Sequence, residues 1–282
     1  MDYEFFMRIS ACYDSAASYG VERRENAWLN DLDLYLGSCF GMLGGNPRAA
    51  VWFCDVNNDY SIGRNIVITK PPLSPTAWDF SFREENRDAM IYWLTYQRIA
   101  RVMASARATT LQRPELECDW RSYYENHLYG PSGAEMNVTL YPLSRSAEML
   151  NGWIKCAFSS GARISVRKYV DLCRNGLRFK FINSLRSRLM PKVVVCLGDS
   201  ARREFVRAFD LDGVGMREHV LKPADQERVI HSSVKDGTTW VFCPALAGVS
   251  GLCSNVFLDE LGKLISGMLE PSDFTDTLYQ AR

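Results

Sequence analysis

Asp55, Asn57 and Asp59 alternate in the stretch Val51-Trp-Phe-Cys-Asp-Val-Asn-Asn-Asp-Tyr60, directly after an apolar run. Two carboxylates flanking an amide suit hydrolysis. An amide holds a water by hydrogen bonds without ionising, and a carboxylate takes that water's proton or faces a developing positive charge. The same residues are also what a turn after a strand contains, because Asn and Asp bond to their own backbone there. Other apolar runs end on polar or reactive groups as well: Val138-Thr139-Leu-Tyr-Pro-Leu-Ser-Arg145, Lys192-Val-Val-Val-Cys-Leu-Gly-Asp199 and Thr239-Trp-Val-Phe-Cys243-Pro244-Ala245. In open α/β sheets the carboxyl ends of the strands open onto the ligand crevice, so several such ends together mark a candidate site.

The elements that must carry these groups alternate between helical and extended patterns. Residues 2–46 read as helical, with apolar residues at helical spacing over 27–36, up to the glycine-rich break Gly41-Met-Leu-Gly-Gly-Asn-Pro47. No Gly-Lys-Ser/Thr follows that break, so it is not a phosphate loop. A strand over 49–54 leads to a connection rich in proline (Pro71, Pro72, Pro75) and aromatics (Trp78, Phe80, Phe82), placed to act as a lid. A helix over 84–106 and an irregular aromatic stretch over 120–133 precede the second strand. Then come a helix over 163–189 stopped by Pro191, a wholly apolar strand over 193–197, a helix over 200–209 and a strand over 239–245. The last helix, 254–269, turns Val256, Leu258, Leu261, Leu264 and Ile265 to the core. This alternation predicts an α/β fold: a three-layer α/β/α molecule with a central, mainly parallel, four-stranded sheet. With no repeat, low-complexity tract or linker, one domain is expected over 1–282, with a helical N-terminal part over 1–46.

Composition narrows the class. At 282 residues and 47% apolar content the chain reads as a soluble globular protein. Its start lacks a basic segment followed by an apolar core, and no run reaches the roughly 18 apolar residues that span a bilayer. A cytoplasmic protein with no membrane partner is expected. The nine cysteines are scattered, without a Cys-x-x-Cys pair, and several lie inside apolar strands, so they read as reduced core residues. The three histidines share no ligand spacing, so no metal and no cofactor are expected. Net charge is zero, yet residues 144–207 hold fourteen Lys or Arg against four acids. That excess predicts a phosphate-binding face with Arg163, Arg167, Lys168 and Arg178 on it.

Three of these features, in this order, resemble the uracil-DNA glycosylase superfamily over about 47–269: the apolar strand with Asp55-Val-Asn57, Pro191-Lys-Val-Val-Val-Cys-Leu-Gly198 before a helix, and the aromatic strand with Cys243-Pro-Ala245 before the helix from Asn255. The resemblance implies a DNA glycosylase that flips a nucleotide out of double-stranded DNA, hydrolyses its N-glycosidic bond and leaves an abasic site. It puts the water-positioning residue on Asn57, with Asp55 or Asp59 as base or cation stabiliser. The flipped base falls to Thr139 and Cys243, with Tyr60, Trp78 or Phe80 as stacking ring. The loop after Cys243, with Pro244, Leu246, Val249 and Leu252, would enter the DNA as an apolar wedge. Asp55, Asn58 and Cys243 depart from the family's Gly, Pro and His. Cys is a weak donor, so ordinary uracil excision does not fit well. The aromatic insertions over 62–82 and 120–133 suggest an enlarged pocket, similar to that of bacterial anti-phage glycosylases that remove glucosylated 5-hydroxymethylcytosine from phage DNA. Two rivals stand beside this reading: a non-catalytic DNA- or nucleotide-binding relative, and an esterase using Ser200, which lacks the Asp-x-x-His such enzymes need.

Overall fold

The run Val193-Val-Val-Cys-Leu197 has no polar side chain. In the computed structural model, which describes residues 27–57, 70–158, 162–223, 226–248 and 251–274, it is a strand at the centre of the sheet with every residue buried. In chain order the helices and strands are α1 (Ala27–Leu36), β1 (Met42–Leu43), β2 (Val51–Asn57), α2 (Phe80–Met90), α3 (Leu94–Thr110), α4 (Glu115–Cys118), α5 (Trp120–Asn126), β3 (Glu135–Tyr141), α6 (Ala147–Ala157), α7 (Val166–Asn175), α8 (Leu177–Leu189), β4 (Val193–Leu197), α9 (Arg202–Ala208), β5 (Arg217–Leu221), β6 (Arg228–Lys235), β7 (Thr238–Cys243) and α10 (Asn255–Ser266).

The sheet has seven strands in the order β1-β3-β2-β4-β7-β6-β5, not the four expected. The four expected strands form its parallel centre, with Val51, Val193 and Thr239 side by side on β2, β4 and β7. Antiparallel β1 extends one edge, and antiparallel β6 and β5 the other. Strand β5 escapes a hydrophobic reading because Arg217, Glu218 and Val220 of its five residues are exposed. The β6–β7 hairpin does carry a local signal. Asp236 and Gly237 take φ of 51° and 76°, the paired positive angles of a two-residue turn whose twist matches right-twisted strands.

Side-chain alternation along the strands divides the core into two layers. Trp52, Cys54, Met136, Val138, Val194, Cys196, Trp240 and Phe242 meet α1 and α6 to α9 on one face. Val51, Phe53, Val193, Val195, Val241 and Cys243 meet α2, α3, α5 and α10 on the other. Helices therefore cover both faces, giving an α/β/α sandwich. Among the described residues no helix is long and apolar enough to cross a membrane.

Several expected helices are broken. The one read over 84–106 is two, α2 and α3, meeting at an elbow over 91–93. The one read over 163–189 is likewise two, α7 and α8, divided at Gly176. A Cβ at Gly176 would come within 2.3 Å of an Asp33 carboxylate oxygen and 2.5 Å of the Leu172 carbonyl oxygen. The stretch 120–133 is not wholly irregular, since it contains α5. On α10, Val256 faces solvent, contrary to the expected core stripe, while Leu258, Leu261 and Ile265 are buried. Of the N-terminal segment, α1 is helical, and the glycine-rich break holds β1. Cys39, Cys54, Cys173, Cys196 and Cys243 are buried as a core reading requires, but Cys118 and Cys156 are exposed.

Candidate active site

The connections around β2 and β4 run in opposite directions: β2 leads to β3 on one side, whereas β4 leads, by way of the hairpin, to β7 on the other. Adjacent parallel strands that part in this way open a crevice at their carboxyl ends. At that crevice stand Asp55 and Asn57 from β2, and Gly198 and Asp199 just beyond β4.

Phe53 is buried toward α3, so alternation places Asp55 and Asn57 on the same sheet face, nearer the carboxyl end. Asn137 and Thr139 of β3 lie beside Phe53 and Asp55 in register. The fully buried amide of Asn137 donates through Nδ2 to Asp55 Oδ2 at 2.9 Å. The same nitrogen lies 3.5 Å from the Tyr129 hydroxyl. Tyr129 is buried with φ of 55°, and its ring meets Trp78 and Tyr96 edge-on at 5.2 and 5.8 Å. Burial first, then neighbouring Tyr96, pushes its phenol far above the ordinary value, so it stays a neutral hydroxyl. Behind it, the Tyr129 N–H donates to buried Glu135 Oε1 at 2.8 Å, and the Tyr123 hydroxyl donates to the other carboxylate oxygen. Asp55, itself half-buried, is thus held by a buried polar chain.

On the far side of the crevice the Gly198 N–H donates to the Cys243 carbonyl at 2.9 Å, extending the β4–β7 ladder by one residue. Gly198 takes φ of 111°, and a Cβ there would meet nothing within 4 Å. Asp199 follows, and its Oδ1 accepts from Arg202 Nη2 at 2.8 Å. The same Nη2 lies 2.9 Å from His231 Nδ1 on β6. The Cys243 thiol is fully buried, 3.8 Å from the Cys196 carbonyl oxygen. Burial, then Asp199, then Asp55 push it well above the ordinary thiol value, so it is a neutral, weak donor.

The other expected site residues divide. Thr139 is buried beside Asp55, and Asn57 is exposed at the lip. Asp59, Tyr60 and Val249 lie outside the described residues. Phe80 is exposed at the first position of α2, and Trp78 is a core ring stacked on Phe82 at 5.3 Å. The expected wedge is corrected for two residues: Leu246 and Leu252 are buried among the core residues, and α3 ties the loop down through Arg98, which donates to the Leu246 carbonyl. Pro244 is half-buried. On the basic face, Arg163, Arg167 and Lys168 are exposed before and within the first turn of α7. Arg178 is corrected: it is fully buried and donates to the carbonyls of Leu36, Ser38, Phe40 and Thr139. No phosphate reaches it.

Sequence reasoning missed Asn137, Tyr129, Arg202 and His231, because nothing local marks them. They reach the crevice through strand register and crossovers. The Asp199 position was legible as a strand end, but its salt bridge was not. No group of three or more His, Cys, Asp or Glu side chains is gathered as metal ligands among the described residues. Comparison of the chain with protein-family models, with curated proteins and with solved structures finds no match in any of the three.

Proposed function

We propose that the protein is a DNA glycosylase with a uracil-DNA glycosylase-like fold, hydrolysing an N-glycosidic bond in the crevice between β2 and β4. The observation that carries this reading is the half-buried Asp55, its carboxylate fixed at 2.9 Å by the buried Asn137 amide at the switch point of the sheet. As the C1′–N bond breaks, its electron pair leaves with the base and the sugar becomes oxocarbenium-like. Water adds its hydroxyl to C1′, and its proton passes through Asp55 to the released base. Asn57, exposed two residues along β2, holds that water. Exposed Arg163, Arg167 and Lys168 support a polyanionic partner. The partner in this reading is double-stranded phage DNA met in the cytoplasm, the base is glucosylated 5-hydroxymethylcytosine, and the role is anti-phage defence. No metal or cofactor takes part.

One observation favours a second reading, a DNA-binding relative without catalysis. The neutral, buried Cys243 thiol stands where the resemblance calls for a donor to the departing base. Abasic-site formation on duplexes carrying cytosine, 5-hydroxymethylcytosine, its glucosylated form or uracil separates the two. Cleavage of the glucosylated strand alone is expected. Binding without base release from any duplex would establish the second reading, and fast uracil release would overturn the choice of base.

A further inference from the structure

Asp199 has no part in the chemistry described so far, yet it flanks the same crevice as Asp55 from the opposite strand. Three observations set it apart from an ordinary helix-start residue. First, strand register brings Asp199 and Asp55 to the same ends of the neighbouring strands β4 and β2, and after burial both raise the Cys243 thiol. Leu197 of β4 is level with Asp55 of β2 and with Cys243 of β7, and Asp199 stands two residues further along the chain. Second, the backbone between them is bare. Gly198 bends the chain at φ of 111°, and the space its missing Cβ would enter is open. Third, Asp199 is braced from a distant part of the chain. Arg202 Nη2 bridges Asp199 Oδ1 at 2.8 Å and His231 Nδ1 at 2.9 Å, and the guanidinium lies 5.9 Å from the centre of the Phe242 ring. His231 Nε2 is in turn 3.7 Å from Glu218. An ion pair made only to start a helix needs no histidine from another strand. The Asp199 side chain nevertheless keeps 35% of its surface exposed.

We propose that Asp199 is a second catalytic carboxylate, set by Arg202 and His231 to face the positive charge that the sugar acquires as the bond to the base breaks. This rests on the glycosylase reading above. Asp199 forms no bond and carries no proton in the step. Asp55 handles the water's proton, and Asp199 lowers the energy of the cation. Arg202 is a positioning residue, acting through Asp199.

The test uses two duplexes that need no cleavable base: one with a pyrrolidine in place of the target sugar, cationic like the transition state, and one with neutral tetrahydrofuran at the same position. The wild-type protein should bind the pyrrolidine duplex tighter by about 10- to 100-fold. Asp199→Asn, nearly isosteric, should erase at least tenfold of that preference while leaving tetrahydrofuran affinity unchanged. Arg202→Met should lower the preference by less, and Arg202→Lys should restore part of it. A preference intact in Asp199→Asn would overturn the role of Asp199 alone. Absence of any preference in the wild type, with no base released from the duplex panel, would remove the glycosylase reading and this proposal together. Circular dichroism of Asp199→Asn and unchanged tetrahydrofuran binding separate lost chemistry from lost folding.

Discussion

Arg178 and Arg167 belong to the same positively charged stretch, and the fold uses them in opposite ways. The first sits inside the molecule as a main-chain clamp, joining the turn after α1 to β3 through the carbonyls of Leu36, Ser38, Phe40 and Thr139. Arg178→Met should therefore lower stability by about 2–4 kcal/mol, because buried carbonyls lose their donors, each worth roughly 1–3 kcal/mol. Denaturant melts read this directly, and wild-type stability in the variant would refute it. Arg167→Ala, by contrast, should leave the melt unchanged and weaken DNA binding for every sequence alike, reducing the salt slope by about 1. At the crevice, Asp55→Asn should cut the rate of base release by about 10²-fold or more with the fold intact. Asn137→Leu removes the amide that orients Asp55 and should also slow release, while binding to a tetrahydrofuran duplex stays the same. A variant of either kind that turns over at the wild-type rate would remove Asp55 from the chemistry.

At the scale of elements, the elbow between α7 and α8 decides how the basic segment is presented. Asp33 of α1 accepts from the Leu177 N–H at 2.9 Å, so it caps α8, and Gly176 leaves room for that carboxylate. Gly176→Ala should cost about 1–3 kcal/mol through overpacking, although its φ of −81° suits any residue. Asp33→Ala should relieve only part of that penalty in the double variant, because the contact with the Leu172 carbonyl oxygen remains. Near the end of β3 a second link is pH-dependent. Burial alone would raise the Glu204 carboxyl, but hydrogen bonds with Arg174 and Tyr141 outweigh it and hold the carboxyl below its ordinary 4.5. A carboxyl depressed in the folded state stabilises above its unfolded value, and that contribution disappears as pH falls through the folded one. Arg174→Leu should accordingly lower the melting temperature at neutral pH and by less below about 4.5. An equal loss at pH 7 and pH 3 would show that the pair is only packing.

Over the whole molecule, sequence patterns located what is apolar and continuous, as in Val193–Leu197, and missed what is half-solvated, as in Arg217–Leu221, whose charges hide a strand. The sequence pointed to candidate site positions only at strand ends, as at Asp55, Asn57 and Asp199. Asn137 and His231 depend on which strands become neighbours, and burial of Leu246 and Leu252 depends on helix α3 reaching over the loop after β7. The arrangement of the sheet also governs how the chain finds this structure. Strand β5 pairs with β6 and β6 with β7, each with the next strand in the chain, whereas Val51 must find Val193. Closing so long a loop is slow, so the local meander should form early and the parallel centre late. In native-state hydrogen exchange the two should open as separate cooperative units. The crevice draws Cys243 and His231 from the early unit and Asp55 and Asn137 from the late one. Refolding chains should thus regain protected amides in β6 and β7 well before any catalytic turnover, which returns only when the two halves of the chain have met.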